Sequence, residues 1–137
     1  SLSAGKQIRL NEAKPGGLIG VGTLLDPSLT KADGLVGSVV GKPGTIPSVW
    51  DQLTIHFTLL ERAVGTVGQE LITAIRTNEL LMLNAGTATT AGLTTSARSD
   101  VADIKLNRPI CAEQNSRVAI SRRISGRWRL IGWGKIS

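Results

Sequence analysis

From residue 52 to residue 60 the chain alternates strictly, with Leu53, Ile55, Phe57 and Leu59 on one side and Thr54, His56 and Thr58 on the other. A period of two describes a strand with one buried and one wet face, and it is incompatible with an amphipathic helix over the same residues. Helical periodicity is nearly absent elsewhere, while short β-branched runs recur between Gly, Pro, Asn and Asp. Further strands are expected at 79–84, 92–97, 101–106, 117–124 and 127–135. Six strands in so short a stretch predict a closed antiparallel barrel, because closure removes the edges a flat sheet would leave. The Thr- and Ala-rich segment 87–99 reads as a tight strand corner.

Ahead of that barrel, 18–21 and 35–40 read as buried strands, bounded by Pro15-Gly16-Gly17, by Asp26-Pro27 and by Gly41-Lys42-Pro43-Gly44. The segment 42–47, with two prolines and Gly44, reads as a linker, and a new domain is expected to begin near Trp50. With 41% hydrophobic and 19% charged residues the chain has the composition of a packed domain. Aromatics are scarce, so the core must be aliphatic, with Trp50, Phe57, Trp128 and Trp133 as its only large anchors.

Most chemistries lack their residues. The chain has one His and one Cys; His56 sits mid-strand among threonines and reads as a wall residue rather than as a base for Cys111. No cluster of His, Cys or carboxylates has metal-ligand spacing, and no catalytic residue is assigned. Gly37-Ser38-Val39-Val40-Gly41-Lys42-Pro43 resembles a phosphate loop but carries Val36 where Gly is needed and Pro43 where a hydroxyl should hold Mg²⁺. Thr30-Lys31-Ala32-Asp33 resembles a guanine-reading tetrapeptide but follows no buried strand. A lone cysteine and the lack of an apolar run of ~20 residues point to a cytoplasmic chain with no membrane partner, and its Ser1 start reads as that of a fragment.

Charge is the informative part. The net charge is +6, and no acidic residue follows Glu113, whereas Arg117, Arg122, Arg123, Arg127, Arg129 and Lys135 all do. Such a cluster gathers polyanions through counterion release, although small domains also carry idle basic faces. If Ser125-Gly126 is a two-residue hairpin turn, Arg122 faces Arg129 with Arg127 on the same side. Like charges directly opposite are destabilising, so the arrangement makes most sense with a polyanion between them. A loop one residue longer would change that pairing.

Several longer motifs go beyond general chemistry. They are Pro15-Gly16-Gly17-Leu18-Ile19-Gly20-Val21-Gly22-Thr23, Leu25-Asp26-Pro27-Ser28-Leu29-Thr30-Lys31-Ala32-Asp33, Leu59-Leu60-Glu61-Arg62, Glu79-Leu80-Leu81-Met82-Leu83-Asn84-Ala85-Gly86-Thr87 and Arg127-Trp128-Arg129-Leu130-Ile131-Gly132-Trp133-Gly134. Together they resemble the gamma subunit of archaeal and eukaryotic translation initiation factor 2, with Trp50-Asp51 and Leu59-Leu60-Glu61-Arg62 closer to archaeal members.

The resemblance implies an all-β fold of antiparallel β-barrels of the translational GTPase, elongation factor Tu-like type. Residues 1–46 would be the C-terminal half of barrel domain two and 47–137 barrel domain three. It implies a chain that is not itself an enzyme and holds no cofactor, GTP and Mg belonging to the GTPase domain of the parent. The implied partners are methionylated initiator tRNA, small ribosomal subunit RNA, the alpha subunit, and the beta subunit through the GTPase domain. Arg117, Arg122, Arg123, Arg127, Arg129 and Lys135 would face RNA. Gly16, Gly17, Leu18, Ile19 and Gly20 would lie near the aminoacylated end of the tRNA, or simply permit a barrel corner. Trp128 and Trp133 fit a core better than a base-stacking role. Two other readings stay open: a scaffold for the alpha subunit and GTPase domain, and the matching part of a selenocysteine-specific or Tu-type elongation factor.

Overall fold

The computed structural model describes residues 1–5, 8–65 and 71–137. They form two compact units, Ser1–Leu35 and Val36–Ser137.

In the first unit, β1 (Leu2–Ala4), β2 (Ile8–Leu10) and β3 (Ile19–Val21) make a three-stranded antiparallel sheet in the order β2-β1-β3. The single-turn helix α1 (Pro27–Thr30) follows, its N-cap Asp26 accepting a hydrogen bond from the Ser28 amide at 2.8 Å. Segment 18–21 does contain a strand, but it is exposed rather than buried, because three strands of three residues provide no second layer to cover it. The strand expected at 35–40 does not form. Gly37 takes a left-handed φ of 86°, which bends the run out of extended geometry.

The second unit holds β4 (Val49–Leu59), β5 (Leu80–Ala85), β6 (Ala88–Ala97), β7 (Val101–Cys111), β8 (Arg117–Ile124) and β9 (Arg127–Ile136). They close into an antiparallel barrel in the order β4-β7-β6-β5-β8-β9, with β9 pairing back to β4. All six expected strands are present. The 87–99 segment is a strand rather than a corner: β6 spans most of it after a turn at Gly86-Thr87, with a bulge at Thr95 in its pairing with β7.

Alternation sends Leu53 and Ile55 of β4, Leu81 and Leu83 of β5, Ile104 of β7, Val118 and Ile120 of β8 and Ile131 and Ile136 of β9 inward, all fully buried. Each such side chain contributes roughly 1.5–3 kcal/mol of hydrophobic stabilisation. Of the four aromatic anchors, Phe57 is buried and Trp50 packs partly against the core, its indole donating to the Ala112 carbonyl at 2.8 Å. Trp128 and Trp133 do not join them.

The reason lies in β9. Ile120 pairs with Gly132 and Ser121 with Leu130, so Ile131 is an extra residue, a β-bulge. Below it Trp128 and Leu130 point outward; above it Trp133 and Lys135 do. Gly132 and Gly134 point inward instead. A Cβ at Gly132 would sit 2.5 Å from the Thr58 carbonyl oxygen and 3.1 Å from Leu59 Cα, so only glycine lets β9 lie this close to β4.

Candidate nucleic-acid interface

The hairpin β8–β9 carries every C-terminal cation. Ser125 and Gly126 have φ of 51° and 79°, both positive, as a two-residue turn twisted to match its strands requires. The register places Arg122 opposite Arg129 and Ile124 opposite Arg127, as expected from the sequence.

That register divides the six cations between two faces. Arg122, Arg127 and Arg129 continue the inward face of Val118 and Ile120 beyond the end of the barrel core. Arg122 has partners there within the chain itself. Its Nε donates to Glu79 Oε1 and its Nη2 to Glu79 Oε2, a bidentate ion pair. Nη1 donates to the Thr73 carbonyl at 2.9 Å and Nη2 to the Ala74 carbonyl at 3.2 Å. The guanidinium is therefore occupied within the fold, and the opposed arginines are balanced at Arg122 by Glu79. Arg129 folds over the loop after β4, its Nη1 2.8 Å from where a Cβ of Gly65 would stand. Arg127 is exposed near the turn.

Arg117, Arg123 and Lys135 stand on the outer wall of the barrel, all exposed. Arg117 pairs directly with Lys135, and Lys135 with His56 of β4, so three nitrogen-bearing side chains line one row across three strands. The Arg117 guanidinium lies over the Trp133 ring, 5.4 Å from its centroid, within range of a cation–π contact. Arg123 pairs with Trp128. The outward positions of β8 and β9 are Arg117, Ala119, Ser121, Arg123, Trp128, Leu130, Trp133 and Lys135, with no carboxylate among them. Trp128 is 37% exposed and Trp133 42%, which corrects the expectation that they are core residues. The bulge that turns both outward leaves no trace in a simple alternation pattern.

His56 and Cys111 lie toward opposite ends of the β4–β7 ladder. His56 pairs with Val101 and Cys111 with Val49, seven residues apart on β4 and thus roughly 23 Å at about 3.3 Å per residue. They form no nucleophile–base pair, and the Cys111 thiol donates to the Pro47 carbonyl. In the first unit, Gly16 and Gly17 have φ of 110° and 76°, so the turn before β3 uses their left-handed freedom. Leu18 and Ile19 beyond it are exposed, and Gly20 pairs with Ser3.

Residues 51–136 match the family described as "Initiation factor eIF2 gamma, C terminal". Similar curated proteins are named translation initiation factor 2 subunit gamma. That of Methanocaldococcus jannaschii is 63% identical over 136 residues, covering 99% of this chain and 33% of that protein. That of Thermococcus kodakarensis is 54% identical over 136 residues, covering 99% and 33%. That of Methanothermobacter thermautotrophicus is 56% identical over 127 residues, covering 93% and 31%. The chain thus spans about a third of the length of these relatives.

Proposed function

The chain belongs to the family of the initiation factor eIF2 gamma C-terminal domain, and from that premise we propose that it is the part of a gamma subunit that faces tRNA and the ribosome and helps assemble the factor. Its fold is all-β with an antiparallel barrel of the elongation factor Tu-like type. In this reading residues 1–46 are the later half of one barrel domain and 47–137 the next. GTP and Mg bind in a GTPase domain outside this chain, and the beta subunit joins through that domain. The whole factor, with its alpha subunit, carries methionylated initiator tRNA to the small ribosomal subunit in the cytoplasm. Leu18 and Ile19, exposed beyond the turn at Gly16 and Gly17, would approach the aminoacylated end.

The observation that carries the RNA-facing part is the carboxylate-free outer wall of β8 and β9, with Arg117, Arg123 and Lys135 exposed on it. Guanidinium groups clamp phosphates in a bidentate way, and a wall without acids keeps the attraction undiluted. Arg127 adds to it at the turn. Arg122 belongs to the fold rather than to this surface, and Arg129 is only partly available. A scaffold role is favoured by one different observation, the directly paired and exposed Leu80 and Leu93 on the same outer wall.

Fluorescence anisotropy with methionylated initiator tRNA over a salt series tests the reading. Affinity that falls steeply with salt, at a slope of roughly 0.7–0.9 per phosphate contact, and that drops in an Arg117, Arg123, Lys135 triple Ala variant, is the expected result. No binding at low salt would refute it and leave the scaffold role.

A further inference from the structure

We propose that Trp133 and Trp128 are stacking platforms for unpaired nucleobases, so that the outer wall of β8 and β9 takes a single-stranded stretch of RNA rather than only the backbone of a duplex. This rests on the reading that the wall faces RNA and names the class of RNA it takes.

Two aromatic–cation couples stand on one wall. Arg117 lies over Trp133, and Arg123 is the direct cross-strand partner of Trp128. With Ile131 bulged out of the ladder, four strand steps separate the two indoles, about 13 Å at 3.3 Å per residue. A strand crossing from one couple to the other meets a ring and a guanidinium at each end, with Leu130 between. Both rings are exposed, and Trp133 is fixed on a strand paired on both sides, to Thr58 of β4 and Ala119 of β8. Its orientation is therefore set before anything binds.

Charge decides between RNA and an apolar protein partner. Three cations and no carboxylate share the outward positions of this hairpin with the indoles, and Lys135 and His56 extend the row onto β4. A protein surface docking through Leu130 and the indoles would have to bury or neutralise those cations, whereas a nucleic-acid strand brings an apolar π-face and a phosphate together in every nucleotide. A duplex keeps its bases stacked inside and offers such a wall phosphate, sugar and base edges but no free base face. Indoles gain from stacking only on a base that is free.

The whole chain is titrated with a mixed-sequence single-stranded RNA of about 12 nucleotides, a length within the usual range for one barrel, and separately with the matching duplex. Labelled RNA gives anisotropy and the protein gives tryptophan emission. The single strand is expected to quench emission. Trp133→Ala is expected to weaken single-strand binding about five- to tenfold while leaving duplex affinity and the salt slope unchanged. Trp133→Phe restores most of the loss, and Trp128→Ala behaves as Trp133→Ala. Arg117→Ala lowers the salt slope instead.

Single-strand affinity unchanged in both Trp→Ala variants, with a normal salt slope, would overturn the stacking proposal and leave the RNA-facing wall standing. Normal RNA affinity with loss of alpha-subunit association would also overturn it, making the wall a protein interface. Binding of neither RNA at low salt would remove the RNA-facing reading itself, and the stacking proposal with it.

Discussion

Arg122 is the residue whose replacement separates structural from RNA-facing arginines. Its side chain is 14% exposed and that of its partner Glu79 is 20% exposed. The guanidinium spends both arms of its fork on the Glu79 carboxylate and on the carbonyls of Thr73 and Ala74, so it ties the segment before β5 to the turn end of the β8–β9 hairpin. A hydrogen bond to a charged group nets about 1.5–3 kcal/mol, but these bonds share one immobilised side chain. The two carbonyls, lying near the surface, regain water once it is gone. Counting the bidentate pair and a fraction of the carbonyl contacts, Arg122→Ala should cost about 2–3 kcal/mol. With an m-value of roughly 1.3 kcal/mol per M for a barrel of this size, the urea midpoint falls by about 2 M, read from the emission of Trp50. Arg122→Lys keeps the charge without the fork and should lose about 1 kcal/mol. A double-mutant cycle with Glu79→Ala should return a coupling of about 1.5 kcal/mol. In the tRNA titration Arg122→Ala should change affinity less than Arg117→Ala does. A stability within about 0.5 kcal/mol of the parent, combined with a loss of RNA affinity as large as that of Arg117→Ala, would refute the reasoning and make Arg122 a phosphate clamp.

Gly132→Ala places a methyl group against the Thr58 carbonyl and Leu59 Cα and should cost about 2–3 kcal/mol as β9 is forced away from β4, measured by thermal unfolding. Ser125→Asn puts at the left-handed first turn position a residue that tolerates it better, and should raise stability by about 0.5 kcal/mol in the same assay. The Asp26 carboxyl is held below its usual value, first by the Ser28 backbone amide and then by the Ser28 side chain. Its contribution to helix α1 is therefore present above the unfolded-state pKa and is lost as pH falls through the depressed one. A carbon-detected NMR titration should find its midpoint below 3.8, and a midpoint at or above that value would show that the cap does not form.

The barrel was legible because its strands have large apolar residues on one face: 52–60, 101–106 and 117–124 alternate Leu, Ile and Val with polar residues, and the structure keeps that alternation. β6 was only half legible for the opposite reason. Its inward residues are Ala88, Thr90, Gly92 and Thr94, too small to register as a hydrophobic period, so 87–99 reads as a corner and only 92–97 within it as a strand. Segment 35–40 has the apolar residues of a strand, but Gly37 leaves extended geometry. In the candidate site, the opposed pair Arg122 and Arg129 followed from turn chemistry alone. The Glu79 partner, 43 residues away in sequence, did not, because a long-range ion pair has no local pattern. The outward tryptophans were missed because their placement depends on a bulge.

That bulge gives β9 two phases. Before Ile131 the even-numbered residues look outward; after Gly132 the odd-numbered ones do, and the core is satisfied by Ile131 and Ile136 on the two sides of the slip. Removing one residue here would not merely shorten the strand. Without Ile131 the halves fall into a single phase with Trp128, Leu130, Trp133 and Lys135 all still outward, at the cost of one fully buried core side chain; without a residue between Gly132 and Ile136, the residues after the gap would exchange faces. The bulge is thus the one place where β9 can change its length by a single residue and keep its outer wall; elsewhere along the strand a change of one turns the residues beyond it inside out.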